Sequence, residues 1–137
     1  ICGGNKKIFL KMKKEFAGED QIFIIGQTKQ MDLYMKACDI LYTKPGGLTS
    51  TEAAVSGIPI VHTEPIPGCE TANRKFFARR GMSLAPRTLD QQIRQGIELL
   101  ESPEKQREMA EAQRRNIPAD SAVQIVKLLE QICFQTK

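Results

Sequence analysis

The sequence has no tryptophan, one histidine and only 6% aromatic residues, so it offers little from which to build a base-stacking surface. Charge of one sign is not concentrated either. A formal net charge of +4 is spread over 137 residues without a run of like charge, which argues against a nucleic-acid partner. No apolar stretch approaches the roughly 20 residues needed to span a bilayer, and no signal peptide is visible. The four cysteines, Cys2, Cys38, Cys69 and Cys133, lie far apart and form no C-x-x-C pair. That spacing argues against structural zinc and against a disulfide framework. They read as reduced thiols of a cytoplasmic protein, at core or half-buried positions. Neither G-x-G-x-x-G nor the G-K-[ST] of a P-loop occurs.

What is present suits one globular α/β domain over residues 1–137, with 41% hydrophobic and 26% charged residues. Short apolar runs at 21–25, 39–42, 58–61 and 83–85 read as strands of a parallel sheet covered on both faces. Helical patterns lie between them at roughly 6–16, 31–37, 48–56 and 71–80. Gly57 and Gly81 stand where helix C-terminal glycines are expected. This alternation predicts a doubly wound fold with helices on both faces. Leu89, Ile93, Ile97 and Leu100 then space a helix over 88–101. Ser102-Pro103-Glu104 opens a charged, solvent-facing helix over 103–115. A last helix, capped by Asp120 or Ser121, is expected to bury Val123, Ile125, Val126, Leu129, Ile132 and Cys133. The start, Ile1-Cys2-Gly3-Gly4, reads as the tail of a strand entering a turn, and the expectation is a piece of a larger protein lacking its first strand.

Two stretches carry candidate chemistry. In KPGGLTSTEAAVSGIPIV, residues 44–61, adjacent glycines stand where a strand becomes a helix. The first N–H groups of a helix lack intrahelical partners and carry the positive end of its dipole, so such a turn can hold a phosphate. Thr49, Ser50 and Thr51 either donate hydroxyls to it or cap the helix. Glu52, one turn in, can accept two hydrogen bonds from a ribose diol or serve only as a favourable first-turn acid. In PIPGCETAN, residues 65–73, a rigid loop leaves a strand's carboxyl end, where open α/β sheets bind ligands. Glu70 and Asn73 share a helix face there and suit sugar hydroxyls, or they merely cap a proline turn.

Residues 43–81, TKPGGLTSTEAAVSGIPIVHTEPIPGCETANRKFFARRG, resemble the nucleotide-binding half of the diacylglycerol glycosyltransferases. These comprise the processive bacterial diglucosyl-diacylglycerol synthases and the plant monogalactosyldiacylglycerol synthases, relatives of the peptidoglycan GlcNAc transferase. The shared pattern resembles K-P-G-G-x-T-x-x-E-A followed by P-x-P-G-Q-E-x-x-N, and weaker similarity covers essentially the whole chain. The resemblance implies a GT-B enzyme of two Rossmann-like domains, with this chain as the C-terminal, donor-binding one. It implies a UDP-sugar donor, a hexose transferred to a lipid acceptor such as diacylglycerol, and an acceptor site and base in an N-terminal half. By the same likeness Gly46, Gly47, Leu48 and Thr49 hold the diphosphate and Glu52 the ribose. Pro67, Gly68, Cys69, Glu70 and Asn73 lie by the sugar, and Gln27 and Thr28 at the uracil edge.

The chain departs from the pattern at Cys69, where the family has a sugar-binding glutamine, and at Gln27, where an aromatic or aliphatic residue is usual. No Asp-x-Asp pair is present to hold a metal, so the helix start after Gly47 is expected to stabilise the leaving diphosphate without metal or cofactor. Alternative readings are GlcNAc transfer to a lipid-linked peptidoglycan precursor and a non-catalytic nucleotide-sugar-binding module. Arg74, Lys75, Phe76, Phe77, Arg79 and Arg80 read either as a basic–apolar patch for peripheral contact with the inner face of the cell membrane, or as a solvated helix with both phenylalanines turned inward. His62 reads as a packing or rim residue.

Overall fold

The computed structural model describes residues 1–135, so the last two residues of the expected domain span lie outside the described residues. The chain divides into two compact units, Ile1–Tyr34 and Met35 onward.

In the first unit α1 (Lys6–Glu15) starts at Asn5, whose side-chain oxygen accepts from Ile8 N at 3.0 Å and so satisfies one of the unpaired first-turn donors. The run 21–25, expected as a strand, is irregular. Cys2 N donates to Ile25 O at 2.7 Å, the one backbone link of residues 21–25 to the N-terminal segment among the described residues. Phe23 is 79% exposed. A strand needs a row of such bonds, and a single link does not supply one. The helix α2 (Met31–Ala37) matches its expected bounds and spans the division between the units.

The second unit runs β1 (Leu41–Thr43), α3 (Gly47–Ser56), β2 (Ile60–His62), α4 (Cys69–Arg79), α5 (Leu89–Leu100), α6 (Pro103–Asn116) and α7 (Ser121–Gln135). The strands pair in parallel, Leu41 with Ile60 and Thr43 with His62, and α3 is the crossover between them. This is the expected α/β arrangement on a smaller sheet. Both strands start two residues later than expected. For β2 the cause is local. Gly57 ends α3 in the left-handed region at φ 74, and Ile58 N turns back to Ala53 O at 3.3 Å, so Ile58 closes the helix before the chain can extend.

The expected strand at 83–85 shrinks to one parallel bridge, Val61 with Leu84. Leu84 N donates to Ile60 O and His62 N to Leu84 O, each at 2.9 Å, which places Leu84 on the edge of β2 opposite β1. Pro86 follows two residues later with no N–H to continue the ladder.

Every side chain of β2 is buried. Val61 packs with Leu99 of α5 and Met109 of α6, flanked by Ile40 and Leu84. Two expectations about the helices change. The helix α6 is not simply solvent-facing. Met109, Ala112 and Gln113 are buried, and the Gln113 amide donates to Ile58 O at 3.0 Å and Met82 O at 3.1 Å.

In α5 the residues facing inward are Gly96 and Leu99, while Leu89, Ile93 and Ile97 are half exposed or more. A Cβ on Gly96 would overlap the Tyr42 hydroxyl, so a larger residue there would have to displace that ring. The expected buried face of α7 is not buried. Val123, Ile125, Val126, Leu129 and Ile132 are each more than half exposed, and Cys133 is exposed too. An apolar stripe on a helix announces a face that can be buried, and does not by itself supply the surface that buries it.

Candidate functional site

Because β1 and β2 are parallel and Thr43 stands opposite His62, the loops that follow them leave from the same edge of the sheet. The glycine loop, residues 44–46, and the proline loop, residues 63–68, therefore meet. Asn73 Nδ2 donates to Pro45 O at 3.1 Å, and Lys44 Nζ lies 3.8 Å from Glu70 Oε1.

The loop enters α3 with Gly46 as N-cap and no side chain capping it. The expected hydroxyl caps do not form, because each hydroxyl is directed elsewhere or left free. Thr51 donates back to Gly47 O, Ser50 bonds the His62 ring, and Thr49 has no hydrogen-bond partner among the described residues. The first intrahelical donor is Ser50 N, which reaches Gly46 O at 3.0 Å. The N–H groups of Gly47, Leu48 and Thr49 are thus left for something outside the helix, at the positive end of its dipole.

Neither glycine is demanded by its backbone shape or by its packing. Both lie outside the positive-φ region, a Cβ on Gly46 would meet nothing within 4 Å, and one on Gly47 would make an ordinary contact 3.8 Å from Asn73 Nδ2. Their missing side chains keep the helix start open. Leu48 beside them is 82% exposed. Glu52, one turn on, is exposed, and among the described residues its carboxylate has no hydrogen-bond or ion partner.

The proline loop is held from within. Gly68 adopts φ 114 and ψ −127, a conformation closed to L side chains, and serves as N-cap of α4. Glu70 Oε2 accepts from Ile66 N at 2.6 Å, so its carboxylate fastens the loop from below as well as facing Lys44. Pro67, Gly68 and Cys69 are exposed at the tip. Gly46, Gly47, Leu48, Thr49, Glu52, Glu70 and Asn73 thus fall on one edge of one unit. Gln27 and Thr28 belong to the first unit, where Gln27 is exposed and the Thr28 hydroxyl accepts from Gln30 N at 3.0 Å.

Other expectations are corrected here. The cysteines are not core residues, since Cys38, Cys69 and Cys133 are exposed and only Cys2 is half-buried. Phe77 is buried against His62, but Phe76 is 39% exposed beneath the Arg80 guanidinium, 4.0 Å from its ring centroid. His62 is no rim residue. It is fully buried, with Nε2 3.0 Å from Ser50 Oγ and Nδ1 3.0 Å from Ser83 Oγ. Burial, and secondarily the Arg74 charge, lower its pKa from 6.5 to about 4. The sequence signal for this arrangement was weak: a histidine in an apolar strand, with serines 12 residues before and 21 after it.

The chain is similar in sequence to known proteins. Over 112 residues the chain is 33% identical to the processive diacylglycerol beta-glucosyltransferase of Staphylococcus saprophyticus, covering 82% of this chain and 29% of the relative. The enzyme of the same name from Staphylococcus carnosus is 32% identical over 111 residues, 81% of this chain and 28% of the relative. That from Staphylococcus aureus is 32% identical over 94 residues, 69% of this chain and 24% of the relative. The chain thus spans less than a third of the length of these relatives. Residues 1–116 match the family of glycosyl transferases group 1, and the chain belongs to that family.

Proposed function

We propose that this chain is the donor-binding part of a glycosyltransferase that moves a hexose from a UDP-sugar to a lipid acceptor such as diacylglycerol. The observation that carries the reading is the start of α3. Three N–H donors without intrahelical partners sit beside two glycines that neither backbone geometry nor packing demands, with a free carboxylate one turn on. A diphosphate fits the donors and a ribose diol fits Glu52. As the glycosidic bond to the diphosphate breaks, charge grows on the departing oxygens, and fixed N–H dipoles stabilise it without reorganising.

Glu70 and Asn73 hold the two loops together from inside, so in this reading their contribution to sugar binding is as much the shape of the pocket as direct contact. Gln27 and Thr28 are assigned to the uracil edge, and Pro67, Gly68 and Cys69 to the rim by the sugar. The whole chain is read as one UDP-sugar-binding domain whose acceptor site and catalytic base lie in sequence outside it. The names of the staphylococcal relatives favour glucose transfer to diacylglycerol over GlcNAc transfer to a peptidoglycan precursor. No helix among the described residues is long and apolar enough to cross a membrane. A cytoplasmic protein that meets its lipid acceptor at the inner membrane face fits that.

Calorimetry with UDP tests the reading. Glu52→Ala is expected to weaken binding by about 1–3 kcal/mol, the scale of a hydrogen bond to a charged group. Gly47→Ala is expected to weaken binding while the melting temperature holds, because the fold has room for the methyl group. Equal UDP affinity in parent and both variants overturns the assignment.

A further inference from the structure

His62 is the chain's only histidine and takes no part in the site described above, yet it is fully buried with both ring nitrogens occupied. Its neighbours fix what it can do. Phe77 of α4 meets the ring edge-on, with centroids 5.5 Å apart, and the Arg74 charge on the same helix disfavours a second positive charge. The imidazole is therefore neutral, with one nitrogen donating and the other accepting. The two serines it bonds belong to different elements. Ser83 lies in the segment bridged to β2 through Leu84. Ser50 lies in the first turn of α3, and its own N–H is the one that follows the three left free.

A hydroxyl–imidazole–hydroxyl chain thus crosses β2 and ends one residue behind the anion-facing turn. Nothing else among the described residues fixes the start of α3 by a side-chain hydrogen bond from another element, except Asn73 on Pro45.

We propose that His62 is a positioning residue for the donor site: through Ser50 it holds the first turn of α3 so that the N–H groups of Gly47, Leu48 and Thr49 stay aimed at the donor's phosphates. The inference rests on the nucleotide-binding reading of that turn. It also separates the two ends of the chain. The Ser50 bond serves the site, and the Ser83 bond serves only the sheet edge.

Four variants of the chain test this. Ser50→Ala and Ser83→Ala each remove one hydrogen bond from the same ring. In His62→Gln the amide reaches the place of Nε2 and faces Ser50, while in His62→Asn it takes the place of Nδ1 and faces Ser83. UDP affinity is read by calorimetry, and the amide shifts of Gly46, Gly47, Leu48 and Thr49 by NMR without ligand. With similar losses in melting temperature, Ser50→Ala is expected to weaken UDP binding by about fivefold or more, and to move those amides. Ser83→Ala is expected to leave both readouts close to the parent's, and His62→Gln to bind UDP more tightly than His62→Asn.

Equal effects of the two serine variants on both readouts overturn the proposal, as does equal binding by the two His62 variants. A parent chain that binds no UDP defeats the nucleotide reading instead. The amide shifts then still decide whether His62 positions the turn, according to whether Ser50→Ala alone moves them.

Discussion

At the scale of single residues, the burial of His62 makes stability depend on pH. Its pKa falls from 6.5 to about 4 on folding, so the folded protein holds the neutral form and the unfolded chain takes the proton first. Well above pH 6.5 both states are neutral and the group contributes nothing. As pH falls below 6.5 stability is lost, by about 3 kcal/mol in all once pH 4 is reached. By pH 5 the loss is about 2 kcal/mol. With one histidine in the chain, the imidazole's share of the curve belongs to His62. Urea unfolding at a series of pH values should show the slope in the parent, and a shallower one in His62→Gln. A parent curve flat from pH 6.5 to 5 contradicts the burial argument.

At the scale of elements, α6 is held to the sheet by one side chain as much as by apolar packing. The Gln113 amide spans Ile58 O, at the entry to β2, and Met82 O, beyond α4. Gln113→Leu keeps the bulk but strips donors from two buried carbonyls, and is expected to destabilise the protein by about 2–4 kcal/mol. Chemical denaturation measures it directly, and a loss below about 1 kcal/mol contradicts this bracing role of the amide.

The contrast between α6 and α7 shows what the sequence could convey about elements. Helix existence and some helix ends, though not the hydroxyl caps expected of α3, were legible because they depend on neighbours in the chain. Ser102 accepts from Lys105 N at 3.4 Å, and Gly57 ends α3 in the left-handed region. Which face of a helix is buried depends on surfaces far away in sequence. Charged α6 hides Met109 and Gln113, whereas apolar α7 stays open. The short strands failed similarly, since residues 21–25 have strand composition without a ladder to join. In the site, the glycine turn and proline loop could be read from local spacing. The Lys44–Glu70 pair and the Ser50–His62–Ser83 chain could not, because only the parallel register brings those residues together.

At the scale of the whole molecule, binding and transfer should come apart. The chain spans 29% of the Staphylococcus saprophyticus relative, and the residues proposed to hold the donor lie within it. The isolated chain is therefore expected to bind UDP while transferring no labelled glucose from UDP-glucose to diacylglycerol vesicles. Detectable transfer by the chain alone places acceptor site and base within these residues and overturns the division of labour. The two kinds of glycine in the fold carry a different consequence, one for descent. Gly57 and Gly68 are held by backbone shapes that L side chains rarely adopt, whatever the protein binds. Gly46 and Gly47 have ordinary backbone shapes and room to spare, so under the proposed donor-binding role selection acts on them through the ligand. A descendant that gave up its nucleotide would drift first at those two positions and keep the others, leaving a lost function readable in which glycines survive.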